Sequence, residues 1–322
     1  MSKALIIHHN DQDGRMGGYI MFKYYEDLGY HTEAMEVDHT KEFEFNGLVE
    51  LGDKVCIVDF ALKPADMAML QNFADASDIV WIDHHKSSIE SYTDQANLDG
   101  IRYIGKSGCE LAYIYSQGYR IKRDSKCVNI KITNGEMEFI DIDNIELPRA
   151  VKLVGDWDVW RKTKDSRQFA YALRAYWPLN RIDVAPGREF WERLVNDQGG
   201  NVDSLINEGY TIMRYIEAQN MTDCRNLAFP VKLRKFESFD CIAINSTFGS
   251  SLIFDSVFNQ HEVGIIFRYG EDGVKKFMHV SLYRLGKNPD KKIDLSFVAK
   301  TFGGGGHPDA SGFITSGTLP FV

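Results

Sequence analysis

The chain has 322 residues, 44% of them hydrophobic and 26% charged, so it is long and apolar enough for two ordinary cores. No apolar run approaches the roughly 20 residues of a membrane helix, and the amino terminus enters a strand directly, without the basic, apolar and small-residue pattern of a signal peptide. The net charge of -9 works against a long duplex nucleic-acid partner, and Cys56, Cys109, Cys127, Cys224 and Cys241 show no metal or redox spacing, which suits a reducing cytoplasm.

In chain order, the first strand-like run is Ala4-Leu5-Ile6-Ile7, continuing through His8-His9 into Asn10-Asp11-Gln12-Asp13-Gly14. If extended geometry persists, the period of two puts His9, Asp11 and Asp13 on one side and His8 and Gln12 on the other, which makes His9 the ligand candidate. A helix-like segment over 15–28 follows. Val55-Cys56-Ile57-Val58 then runs into Asp59, with a second helix-like segment over 64–74. Ile79-Val80-Trp81-Ile82 runs into Asp83-His84-His85. A lone Asp after a strand is usually a turn former or helix cap. Three strands that each end in metal-capable side chains predict instead a doubly wound, mainly parallel sheet with one cation site at its carboxyl edge. Carboxylates mixed with imidazole suit manganese, zinc or iron, and the lack of a cysteine pair argues against a closed structural zinc site. Manganese is the best single choice. So many donors predict two ions, the arrangement that activates a bridging water for in-line displacement at phosphorus.

Residues 120–146 read as a strand-rich insertion, and Gly155-Asp156-Trp157-Asp158-Val159-Trp160 places two further carboxylates beside aromatic residues. Tyr113, Tyr115, Trp157, Trp160, Trp177 and Trp191 read as core before base-stacking platform. Gly199-Gly200-Asn201 breaks the chain. Leu205, Ile206, Ile212, Met213 and Ile216 then make the apolar stripe of a connecting helix over 202–222. Short strands and a helix follow, at 228–233, 241–245, 252–258, 263–269, 276–285 and 295–302. The predicted organisation is a catalytic domain at 1–200, a connector at 201–226 and a smaller α/β domain at 227–322. Up to Cys224 the chain has 25 basic and 37 acidic residues, net -12; beyond it the counts are 12 and 9, net +3. In the basic part Lys232, Arg234, Lys235, Lys275, Lys276, Arg284, Lys287, Lys291 and Lys292 lie among Phe236, Phe277 and Tyr283, mostly as solvated strand faces. Four glycines, Gly303, Gly304, Gly305 and Gly306, with His307 after them, have the type of a phosphate cradle, in which backbone N–H groups can turn toward an anion.

Together these motifs resemble the DHH phosphoesterases, named for the tripeptide found here at Asp83 to His85. His9-x-Asp11-x-Asp13-Gly14 is similar to the first motif in the short form of the oligoribonuclease (nanoRNase) branch. Asp59 is similar to the second, residues 155–160 to the fourth, and the stretch from Gly303 to Phe313 to the signature of the associated DHHA1 substrate-binding domain. The resemblance spans nearly the whole chain and implies an active site in a cleft between a DHH and a DHHA1-type domain. It implies one Mn2+ on His9, Asp11 and Asp59, and a second on Asp13, Asp59, His84 and either Asp158 or Asp156, with Asp158 favoured. Mg2+, Co2+ or Zn2+ are conceivable substitutes. His85 would face the substrate phosphate or the leaving oxygen, while Gly304, Gly305, Gly306, His307 and Arg284 would hold substrate.

The expected activity is Mn2+-dependent hydrolysis of short single-stranded RNA or of linear or cyclic dinucleotides to mononucleotides, by a cytoplasmic monomer or homodimer. Two alternatives stand beside it. One is a phosphatase for 3'-phosphoadenosine 5'-phosphate or a related monoester; the other, of a different class, is a catalytically silent nucleotide sensor.

Overall fold

The computed structural model describes all residues except 1, 40–42, 44, 92–97, 122–127, 134–135, 162, 198, 248–249, 273–274, 317–319 and 322. Cys127 therefore lies outside the described residues, and the other four cysteines are free and buried. The chain divides into two compact units, Met1–Ile212 and Met213–Val322.

The first unit is built on four parallel strands: β1 (Lys3–His9), β2 (His31–Val37), β3 (Lys54–Val58) and β4 (Ile79–Ile82), in the order β2-β1-β3-β4. β1, β3 and β4 are continuous apolar runs because helices or chain segments cover both faces of the sheet. Alternate residues enter two different cores. Ala4, Ile6, Cys56, Val58, Val80 and Ile82 pack toward one, which holds α1 (Gln12–Asp27), α4 (Gly108–Ser116), α5 (Arg149–Asp158) and α6 (Ser166–Ala175). Leu5, Ile7, Val55, Ile57, Ile79 and Trp81 pack toward the other, with α2 (Pro64–Leu70) and Phe43, Phe45 and Val49. β2 escapes the sequence reading because its residues, His-Thr-Glu-Ala-Met-Glu-Val, mostly suit a half-covered edge strand.

Register brings the strand ends level: His9 pairs with Val37, His8 with Val58, and Val58 with Ile82. β1 connects to β2 on one side and has β3 on the other, so the strand order reverses beside the ends of β1 and β3. That is where open α/β sheets leave a crevice. A short α3 (Lys86–Ser91) follows the third motif, and α7 (Ala185–Val195) closes the helical layer. The 120–146 region contains a three-stranded antiparallel sheet, β5 (Tyr119–Ile121), β6 (Val128–Thr133) and β7 (Glu136–Asp141).

α8 (Asn201–Leu227) is one continuous helix, longer than its predicted stripe, and the division between the units falls inside it. The second unit has a six-stranded mixed sheet of β8 (Phe229–Val231), β9 (Cys241–Asn245), β10 (Val263–Asp272), β11 (Lys275–Arg284), β12 (Gly305–Gly306) and β13 (Ala310–Thr315), ordered β12-β13-β11-β10-β9-β8. α9 (Leu295–Lys300) covers one face through Leu295, Val298 and Ala299. Residues 252–258, expected among the strands, make a 3-10 turn over Ser251–Val257 that buries Ile253 and Phe254 on the opposite face. No described helix is long and apolar enough to cross a membrane.

Candidate metal centre

Three strand ends and one helix end converge. His9 ends β1, and Asp11 caps α1, its Oδ1 accepting from Gly14 N at 2.8 Å, so the bland cap role and a ligand role coexist in one carboxylate. The other oxygen, Oδ2, lies 2.8 Å from His9 Nδ1. His8 points the opposite way as the alternation predicts: it is fully buried, and its Nδ1 meets the His9 carbonyl at 2.8 Å. Burial pushes its pKa down to about 4, so it stays neutral.

Asp59 follows β3 with φ at +55°, a left-handed conformation that Asp tolerates better than most residues. Its N–H is held by the Ile82 carbonyl at 2.9 Å. Asp59 is 2% exposed, and among the described residues neither carboxylate oxygen accepts a hydrogen bond. Oδ2 instead faces His9 Nδ1 at 3.6 Å, and Oδ1 faces His84 Nε2 at 3.1 Å. A buried carboxylate pointing one oxygen toward each of two donor groups fits a bridging cation ligand, because a buried anion needs positive charge beside it, which protonated His9 and His84 supply when no metal does.

The two groups are His9, Asp11 and Asp59, and Asp13, His84 and Asp158; the donor atoms of each lie within 4.8 Å of one another. His84 Nε2 is 3.4 Å from Asp158 Oδ2 and 3.8 Å from Asp13 Oδ2. Asp13 is also gripped by the amino end of α4, accepting from Gly108 N at 2.6 Å and Cys109 N at 3.0 Å. Residue 108 has to be glycine for this approach, since a Cβ there would stand 2.6 Å from that of Asp59. Sequence reasoning missed this element. Its signal was the capping box Ser107-Gly-Cys-Glu110, in which Ser107 Oγ accepts from Glu110 N and the Glu110 carboxylate from Ser107 N.

Asp83 holds the loop and is no member of either donor group. Fully buried, its Oδ1 accepts from His84 N at 2.8 Å and His85 N at 3.1 Å and meets His85 Nδ1 at 2.8 Å. The His85 ring is thereby fixed while its side chain stays 46% exposed. Asp59, His84 and His85 also form a close trio, with His85 Nδ1 3.8 Å from Asp59.

Asp156, the other fourth-motif candidate, joins neither donor group among the described residues. Arg161 Nε donates to it at 2.5 Å, Thr163 donates to its other oxygen, and Arg161 also reaches Glu110 at 2.7 Å. On α5 the two carboxylates lie two residues apart and face different neighbours, as the helical period requires. Asp158→Asn is expected to weaken metal binding with little loss of stability, and Asp156→Asn to lower the unfolding temperature with metal affinity retained. Titration calorimetry beside thermal unfolding separates the two, and the reverse pattern would refute the assignment.

Burial opposes a charge on His9 and His84, but the carboxylates beside them, Asp11 and Asp59 for His9 and Asp59 for His84, outweigh it and raise them to about 11 and about 10. For Asp59 burial works upward too, yet His84 and His9 hold it well below the usual range. Burial and Asp59 push Asp13 up to about 7, and burial, Asp13 and Asp59 push Asp158 well above normal. In the metal-free protein the imidazolium contacts are fully stabilising below about pH 6.5 and fade as pH rises through about 10 to 11. Both rings must lose a proton to bind metal. Metal uptake should therefore release at least two protons, with more from Asp13 and Asp158 where these are protonated, and weaken as pH falls; calorimetry in buffers of different ionisation enthalpy would show no buffer dependence if this were wrong.

In the second unit the glycine run is less of a cradle than its sequence suggests. Gly305 and Gly306 pair as β12 with Gly312 and Ser311, and His307 closes a tight turn with Ala310, its side chain 73% exposed. Gly303 and Gly304 instead border a cavity of about 510 Å³, with Arg268, His279, Ser281 and Gly312. Arg268 and His279 are directly paired across β10 and β11, a basic pair the sequence reading passed over. Arg284, expected to clamp phosphate, is not among the lining residues. Its guanidinium donates to the carbonyls of Pro289 at 3.0 Å and Lys291 at 2.9 Å, and it faces Asp309 at 3.6 Å. Lys287 and Lys291 are likewise paired, with Asp240 and Glu262. Of the aromatic residues expected in the core, Tyr115 and Trp191 are buried, Trp160 is 53% exposed, and Trp157 and Trp177 border a cavity.

Neither a family model nor a curated protein matches the sequence. Solved structures do. One is described as the DHH domain of PF0399, a member of a family of ribosomal proteins; it is 14% identical with a TM-score of 0.58, over 98% of this chain and 83% of that one. Another is PggH, a pGpG-specific phosphodiesterase from Vibrio cholerae, 11% identical with a TM-score of 0.50, over 98% and 94%. At such identities the likeness is one of fold: this chain has the α/β architecture of DHH-domain proteins, a parallel sheet followed by a second mixed sheet.

Proposed function

We propose that the protein is a phosphodiesterase that uses two divalent metal ions, Mn2+ foremost, to hydrolyse short oligoribonucleotides or dinucleotides to mononucleotides. The observation that carries this reading is Asp59, buried, with one oxygen toward each of two donor groups. His9, Asp11 and Asp59 would hold one ion, and Asp13, Asp59, His84 and Asp158 the other. When bound, such ions supply Lewis acidity at a phosphoryl oxygen and a water acidic enough to attack near neutral pH.

The chain's own residues do the rest. Asp83 orients His85, which burial alone would make less basic but which Asp83 and Asp59 make more so, and its exposed ring can give a proton to a departing ester oxygen. The cavity bordered by Gly303, Gly304, Arg268 and His279 supplies two basic side chains for a nucleotide, the backbone N–H groups of both glycines being taken by the carbonyls of Lys300 and Ala299. The PggH likeness, though one of fold, fits a dinucleotide substrate. Four buried, unpaired cysteines agree with a reducing cytoplasm.

The test is hydrolysis, with Mn2+, of diadenylate, tri- to pentanucleotide RNA, a cyclic dinucleotide and 3'-phosphoadenosine 5'-phosphate. Cleavage of the linear di- or oligonucleotides bears the reading out. Turnover of the monoester alone replaces it with a nucleotide phosphatase, and metal binding without turnover of any ester replaces it with a sensor.

A further inference from the structure

A second cavity, of about 370 Å³, lies within the first unit, and its wall joins Asp11, Asp13 and Asp158 of the cluster to Trp157, Trp177 and Arg174. It thus opens directly onto the carboxylates, and whatever binds there is contiguous with a phosphoryl group held at them.

The aromatic part of the wall is built rather than incidental. Trp177, in the turn after α6, has the guanidinium carbon of Arg15 3.8 Å from its ring centroid. Arg15 is 2% exposed and does not border the cavity. It is fixed by Glu36 through two contacts of 2.6 and 2.9 Å, by the Trp177 carbonyl at 2.6 Å, and by Asn180. The indole is thereby backed by a cation on one face and left to the cavity elsewhere. Arg174, exposed at the end of α6, has only the Tyr171 ring 5.5 Å away and no carboxylate partner among the described residues. Neither Trp157 nor Trp177 has its indole N–H bonded within the described residues. The non-carboxylate wall therefore offers flat π-faces and unspent donors, which suits a planar aromatic ligand with acceptor atoms along its edge.

We propose that this cavity receives one of the two nucleosides joined by the scissile phosphodiester. Trp177 serves as the stacking platform, and Arg174 donates to the edge of the base. These are positioning residues for substrate choice, favouring a diester between two nucleosides over one with a small second substituent. The inference rests on the reading of the carboxylate cluster as a phosphodiester-cleaving centre.

The experiment compares kcat/KM for diadenylate with that for the 5'-linked and 3'-linked methyl phosphates of adenosine, each lacking one nucleoside. The preference for diadenylate over one of the two esters should fall about tenfold or more in Trp177→Ala and in Arg174→Ala, chiefly through KM, and Trp177→Phe should restore most of it. Equal losses on all three substrates, or an unchanged preference against both esters, overturn the proposal. Arg174 is a surface residue, so its variant keeps the test informative if Trp177→Ala does not fold. Should the wild-type protein cleave none of the diesters, the catalytic reading fails, and quenching of indole fluorescence by adenosine 5'-monophosphate with Mn2+ decides the cavity. Saturable quenching weakened about tenfold by Arg174→Ala supports it; no quenching, or quenching indifferent to Arg174, overturns it.

Discussion

Replacing Asp59 by Asn should lower Mn2+-dependent hydrolysis by about 10² to 10⁴-fold while leaving the fold intact. A bridging anion contributes several kcal/mol to holding charge at the reacting phosphoryl group, and each ~1.4 kcal/mol is a factor of ten in rate. Asn is the informative substitution because it tolerates the left-handed backbone that residue 59 adopts at φ +55°, whereas Ala there adds strain of about 1 kcal/mol or more. The same variant should lose its stabilisation by metal. Mn2+ at a hundred times its Kd stabilises a folded binder by about 2.7 kcal/mol, so thermal unfolding with and without the ion would distinguish wild type from Asp59→Asn. Undiminished turnover in Asp59→Asn would remove the central element of the proposed mechanism.

The largest effect on stability is expected at Arg15. Its guanidinium is 2% exposed and satisfies Glu36, the Trp177 carbonyl and Asn180 at once, tying α1 to β2 and to the turn after α6. Arg15→Ala removes the cation from a largely buried pair and leaves a void, a combination that costs about 3–5 kcal/mol. For a unit of this size that is a fall of roughly 6–20 °C in unfolding temperature. A scan showing a shift under about 2 °C would mean that water replaces the guanidinium without difficulty.

Much of the first unit is legible in its residues for a local reason. Buried parallel strands need unbroken apolar runs, and where such a run stops at His9, Asp59 or Asp83, the chain leaves the sheet at its carboxyl edge. Alternation within β1 places His8 and His9 on opposite sides, but it ends with the strand: Gln12, expected beside His8, opens α1 and borders the same cavity as Asp11 and Asp13. β2 is hidden because it is mostly half-covered and mixes polar with apolar residues; the start of α4 is marked by its capping box, but that its backbone N–H groups grip Asp13 is set by packing.

What the sequence by itself determined is which chemistry is present: imidazoles and carboxylates at three strand ends, without a cysteine pair, in a chain of two units. What only the tertiary structure decided is how those groups are spent. Asp156 and Asp158, two residues apart, part company because one meets Arg161 and the other His84. Arg284 is consumed by the carbonyls of Pro289 and Lys291, while Arg174 and Arg268 border cavities. The physical reason is that a charged side chain takes its role from the partner that satisfies it, and the partner of Asp158, His84, comes from a distant part of the chain brought together with it by packing.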